Sequence, residues 1–87
     1  MTEQKIQTSI ADYLRKRGWT VVKIMAASLN GWPDLHAVKE GRAIYIEVKR
    51  PGGRLSKIQE YRIEQLKKQE MRVHVVDSLD AIKRKGY

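Results

Sequence analysis

Asp34-Leu35-His36-Ala37-Val38-Lys39-Glu40-Gly41-Arg42-Ala43-Ile44-Tyr45-Ile46-Glu47-Val48-Lys49 reads as two strand-like runs about a glycine. The pattern predicts a β-hairpin whose two-residue loop is Glu40-Gly41, with Lys39 opposite Arg42. Counting outward by the same number of residues on each strand, Asp34 comes to face Glu47. Directly opposed residues point to one face with Cβ atoms about 5 Å apart, close enough for two carboxylates to share a divalent cation. Lys49 lies two residues beyond Glu47 and keeps to its face. The register thus gathers an acid, an acid and a cation at one edge of a sheet.

Hydrolysis of a phosphodiester asks for that combination. It needs charge neutralisation on the phosphate, an activated water and help for the leaving oxygen. A carboxylate-held Mg²⁺ serves the first need and lowers the pKa of bound water. Mg²⁺ takes oxygen ligands and keeps several waters, so two carboxylates and a backbone carbonyl suffice. Lys49 then orients the water or touches the scissile phosphate. The plain alternative makes Asp34 a turn residue after Pro33 and Glu47 with Lys49 an exposed ion pair. Against it, Glu47 interrupts the apolar run Ile44 to Val48, where an isolated charge is costly unless paired or useful.

The 87 residues suit one domain, 1–87, with a core sufficient to fold and little room for a second module. There is no cysteine, so disulfides, thiolate metal sites and thiol nucleophiles are excluded. Apolar runs reach only strand length, and neither a membrane span nor a signal peptide is expected. A cytoplasmic location is expected, in the bacterial host if the chain is phage-encoded. Eighteen Lys and Arg against ten Asp and Glu leave +8, an excess that favours a polyanionic partner, most often nucleic acid. Charge kept only for solubility is the bland alternative.

Outward from the hairpin, the chain shows no repeat or low-complexity tract. Thr2 caps a first helix to about Lys16, with Ile6, Ile10, Tyr13 and Leu14 at helical spacing and Gly18 ending it. Trp19 to Met25 reads as the first strand, and Ala26 to Trp32 as a loop with an Asn30-Gly31 turn. Pro51-Gly52-Gly53 cannot continue a strand well. Ser56 caps a second helix to about Gln69, Val73 to Val76 forms a fourth strand, and Ser78 opens a short basic helix. The fold class is therefore α/β, in the order α-β-β-β-α-β-α. Its mixed central sheet has an antiparallel meander, a parallel last strand, and helices on both faces.

Gly31-x-Pro33-Asp34, Glu47-x-Lys49 and downstream Gln59 resemble the PD-(D/E)xK nuclease superfamily. The likeness is nearest to its virus-type replication-repair branch, VRR-NUC, of the stand-alone phage or bacterial kind. It spans almost the whole chain, through Glu3 and Gln7, Gly18, Glu47-Val48-Lys49-Arg50-Pro51-Gly52-Gly53 and Ser56-x-x-Gln59. The resemblance implies a fold like Holliday-junction resolvases and restriction endonucleases, Mg²⁺- or Mn²⁺-dependent endonuclease activity, branched DNA as partner, and a homodimer. By position it makes Asp34, Glu47 and the Val48 carbonyl the metal ligands and Lys49 the catalytic lysine. Glu3 and Gln59 complete the catalytic pocket. Glu3 also reads as an acid favouring a helix N-terminus, and Gln59 as the partner of Ser56 in a capping box.

Arg50, Arg54 and Lys57 are expected to grip neighbouring phosphates, and Trp32, opposite Lys49, to stack on an unpaired base or pack its loop. The Arg15-Lys16-Arg17 and Lys83-Arg84-Lys85 clusters extend that track or are solvated helix ends. His36 and Tyr45, opposed in the same register and sharing the face of Asp34 and Glu47, touch substrate or, in the favoured reading, cover a half-buried sheet face under the first helix. Trp19 is expected to be core and His74 structural. With no recognition helix or zinc module, shape rather than base sequence is the expected specificity. A structure-selective endonuclease of branched DNA is the favoured reading. A sequence-specific restriction-type nuclease and a non-catalytic DNA-binding module of the same fold are its alternatives.

Overall fold

The computed structural model describes residues 2–87; Met1 lies outside them. The elements run α1 (Glu3–Lys16), β1 (Thr20–Lys23), β2 (Leu35–Lys39), β3 (Arg42–Val48), α2 (Lys57–Lys68), β4 (Arg72–Val76) and α3 (Leu79–Arg84). This is the α/β order expected. The four strands lie side by side in sequence order, antiparallel from β1 to β3 and parallel between β3 and β4.

Local chemistry sets most boundaries. Thr2, Ser56 and Ser78 each cap a helix, accepting from the backbone N–H of Lys5, Gln59 and Ala81. Glu40 and Gly41 both have positive φ, 50° and 79°, the signature of a type I′ hairpin turn whose twist matches that of the strands. That turn holds the predicted register, with Lys39 opposite Arg42 and Leu35 opposite Ile46. The first strand is shorter than the expected Trp19–Met25. Its last ladder bond runs from Ile24 N–H to Asp34 O, 2.8 Å. The next partner residue would be Pro33, which has no N–H to offer.

Helices cover both sheet faces. Ile6, Ile10 and Leu14 of α1 and Ile82 of α3 pack on Leu35, Ala37, Ile44, Ile46 and Val48. On the other face Ile63 and Leu66 of α2 meet Val73, with Tyr45 and Trp32 packed against them. Each fully buried Ile or Leu contributes roughly 1.5–3 kcal/mol. This arrangement corrects the expectation for His36 and Tyr45. They stack on each other, ring centroids 4.6 Å apart, but on the α2 side. The reason is strand alternation: Leu35, Ala37, Ile44 and Ile46 form the fully apolar stripe that α1 buries, so their neighbours must point away from it. Trp19 is core, as expected. His74 bonds through Nε2 to the Tyr87 hydroxyl, 2.7 Å; burial, then Lys85, Arg72 and Lys67, hold its imidazole below the usual range.

Candidate active site

Asp34 and Glu47 meet at the end of the sheet remote from the hairpin turn. Asp34 follows Pro33 at the mouth of β2, and its Oδ2 accepts from Val48 N–H at 2.8 Å. The carboxylate is thereby tied to the backbone directly after Glu47. Val48 itself is wholly buried on the α1 face, which immobilises the peptide carrying that bond. Glu47 points to the α2 side and is 2% exposed, the one buried charged residue among those described.

Gln59 joins the pair from the first turn of α2. Its Oε1 accepts from Ser56 N–H at 2.9 Å, completing the capping box. Its Nε2 donates to Glu47 Oε2 at 3.1 Å. One amide therefore fixes a helix start and orients an acid on the sheet, so the two readings of Gln59 are compatible. Glu3, at the start of α1, accepts through Oε2 from Arg50 N–H at 3.3 Å. Glu3, Lys49, Arg50 and Arg54 line one open cleft of ≈ 430 Å³ with Thr2 and Gly53. The cleft wall turns at Arg50–Gly53, closed by Gly53 N–H to Arg50 O at 2.8 Å. Pro51 and Gly52 (φ 80°) stand at the centre of that turn, as a type II turn requires.

The electrostatics are those of a site short of positive charge. Burial, then repulsion from Asp34, push the Glu47 carboxyl up from 4.5 to about 8, with Glu3 adding to the effect and Lys49 opposing it. As a carboxylate, Glu47 leaves Oε1 buried without a hydrogen-bond partner. By taking a proton it can bond to Asp34 instead. A hard divalent cation would satisfy the same oxygen and both charges at once. Among the described residues no three His, Cys, Asp or Glu side chains converge on a metal position. Protein ligation of an ion here would rest on Asp34 and Glu47, with carbonyl and water oxygens completing the shell.

Two expected residues stand apart. Lys57, exposed on the first turn of α2, does not line the cleft. Trp32 is half-buried and packs edge-on against Tyr45, ring centroids 5.9 Å apart, so its ring belongs mainly to the small cluster under α2. Two residues hold the loop in place: Arg62, which the sequence did not single out, and Gly31, which it marked only as a turn and motif glycine. Arg62 Nε donates to Asn30 O at 2.9 Å. Gly31, at φ 81°, lies so close to α2 that a Cβ there would come within 2.7 Å of Ile58 O. The loop that delivers Asp34 and the helix that delivers Gln59 are thus clasped together.

The family comparison bears on the same residues. The VRR-NUC domain model matches residues 2–80. The chain belongs to the VRR-NUC family. Membership brings a nuclease-type, DNA-processing fold, and VRR-NUC domains are generally nucleases that use divalent metal ions. A solved structure described as "VRR_NUC domain" superposes with a TM-score of 0.86 at 24% identity, covering 97% of this chain and 94% of that one. At that identity the likeness speaks for the fold. No curated protein matches the chain.

The clasp gives this VRR-NUC chain a testable weakness. Gly31→Ala meets both a positive φ and the α2 backbone, whereas Gly41→Ala, at φ 79°, meets nothing within 4 Å. Left-handed backbone alone costs a non-glycine residue about 1–2 kcal/mol. Gly31→Ala should lower the urea midpoint well beyond Gly41→Ala, and cleavage with it. Equal losses in the two variants would mean that the close approach to Ile58 carries no energetic weight.

Proposed function

We propose that the chain, as one domain over residues 1–87, is a Mg²⁺- or Mn²⁺-dependent endonuclease that cuts branched DNA according to its shape. The observation that carries this reading is the Asp34–Glu47 pair, in which Glu47 is buried with Oε1 unpartnered and Gln59 holds the opposite oxygen. Asp34, Glu47 and the Val48 carbonyl are the metal ligands. When bound, the cation supplies charge neutralisation at the phosphate and lowers the pKa of water. Lys49 orients the attacking water or contacts the scissile phosphate as a point charge. Gln59 keeps Glu47 in position, and Glu3 closes the cleft on the α1 side. Arg50 and Arg54, exposed beside Lys49, hold flanking phosphates; Lys57 extends that track, and Trp32 offers its remaining exposed edge to an unpaired base.

None of these groups reads base edges, so recognition by backbone and branch geometry follows. A two-fold homodimer would present two such sites to one branched substrate, as symmetric nicking of a four-way junction requires. No helix among the described residues is long and apolar enough to cross a membrane, and the proposed site of action is the cytoplasm.

The test is incubation of labelled four-way junction, flap and linear duplex with Mg²⁺, Mn²⁺ or EDTA. Junction or flap should be nicked with either metal and left intact in EDTA. Faster cutting of a linear duplex of one particular sequence would instead make this a restriction-type enzyme. Tight binding without cleavage under any metal would leave a DNA-binding module.

A further inference from the structure

The sheet has a second charged end. The helices all finish near the hairpin turn, because α1 and α2 start beside the active site and α3 follows β4 back from it. Each ends on two cations: Arg15 and Lys16, Lys67 and Lys68, Lys83 and Arg84. Between α1 and the hairpin lies an open groove of ≈ 710 Å³, walled by Arg17, Lys39 and Arg42 and floored by Thr20, Val38 and Gly41; Glu40 is the one acid in its lining.

The three wall cations are held in place without being neutralised. Lys39 Nζ donates to Arg17 O at 2.6 Å. The Arg17 guanidinium lies over Tyr13, 5.4 Å from the ring centroid, and that of Arg42 over Trp19 at 5.0 Å. Among the described residues the ion pairs are Arg15 with Asp12 and Arg84 with Asp80, and none involves the groove. Cations gathered on one surface with a single acid, Glu40, among them repel one another, a cost that an anionic partner relieves. The groove straddles the hairpin end of the sheet: Lys39 and Arg42 alternate onto the α1 face, and Thr20 and Val38 lie on the face that carries Asp34 and Glu47. By register and alternation, Thr20, Val22, His36 and Val38 share that face. Helix α2 leaves its β1–β2 half uncovered, so Val22 is 52% exposed.

We propose that this groove is a second DNA-backbone site, which takes phosphates of a duplex arm whose branch lies in the catalytic cleft. The proposal rests on the nuclease reading above and adds a contact surface to it. Lys39 and Arg42 stand about 17 Å from the Asp34–Glu47 level at roughly 3.4 Å per residue, the rise of about five base pairs. Arms shorter than that span cannot reach the groove, and longer ones can.

The test measures binding in EDTA, by fluorescence anisotropy, for junctions with hairpin-closed arms shorter and longer than about five base pairs. On the wild type, affinity should rise as arms pass that length. Arg17→Gln/Arg42→Gln should lose that gain, match the wild type on the short arms, and make the log–log salt slope on long arms shallower by up to about two units. Thr20→Glu, which adds a carboxylate to the groove floor and leaves every cation in place, should reproduce the effect if the double variant folds poorly. Unchanged long-arm affinity in both, or equal loss on short and long arms, would overturn the second site. Wild-type protein that binds arms in this length-dependent way yet never cuts would sink the nuclease reading and leave the groove standing.

Discussion

Asp34→Asn and Glu47→Gln should each reduce cleavage at least 10²- to 10³-fold, the scale on which losing one charge-stabilising group acts in catalysis, while junction binding is kept or tightened. Binding holds because each change removes a negative charge that would face phosphate. The sharper expectation concerns stability. Glu47 is a buried acid beside another acid, with one oxygen unpartnered. A glutamine there can accept from Gln59 Nε2 and donate its own amide toward Asp34. In EDTA at about pH 8, Glu47→Gln should therefore unfold at a higher temperature than the wild type, because it no longer buries an uncompensated charge. Activity and stability then move in opposite directions at one residue, as expected where function needs a strained charge. Wild-type cleavage in either folded variant would remove the residue from the metal site. A metal-free Glu47→Gln less stable than the wild type would show that the carboxylate is no burden to the fold.

Metal and pH should also be coupled through Glu47. Its carboxyl titrates near 4.5 when exposed and near 8 in the folded protein, through burial first and Asp34 second. Between those values the folded state retains a proton that the unfolded state has released. Stability from this group is thus present below pH 4.5, falls as pH rises through the interval, and is lost above about 8, at up to about 1.4 kcal/mol per pH unit. On the proposed reading a divalent cation would take the place of the proton and restore the loss. At a hundredfold excess over its Kd, such an ion adds about 2.7 kcal/mol, or roughly 10–20 °C in the Tm of a domain this small. Melting curves in Mn²⁺ and in EDTA should therefore differ strongly at pH 8 and little at pH 5. Glu47→Gln should flatten the metal-free pH trend and abolish the Mn²⁺ shift. An equal Mn²⁺ shift at both pH values would separate the ion from the Glu47 proton.

What could be read from the sequence was local. The hairpin register followed from Glu40-Gly41, because a two-residue loop admits one pairing of its strands, and that pairing put Asp34 level with Glu47. Thr2, Ser56 and Ser78 marked helix starts because a cap bonds to N–H groups within three residues of itself. The glycine before Pro33-Asp34 and the Glu47-x-Lys49 spacing carried the family. Tertiary structure decided the rest. It placed His36 and Tyr45 toward α2 rather than α1, a choice made by which apolar stripe the first helix buries. It turned the Gln59 amide, already committed to its cap, onto Glu47, and explained Gly31 by the proximity of Ile58, 27 residues away. It also brought three basic helix ends to the hairpin pole, since the parallel β3–β4 crossover sends α2 back along the sheet. Such contacts join segments far apart in the chain, and their geometry is set by how helices pack on a twisted sheet, which no local pattern of residues encodes.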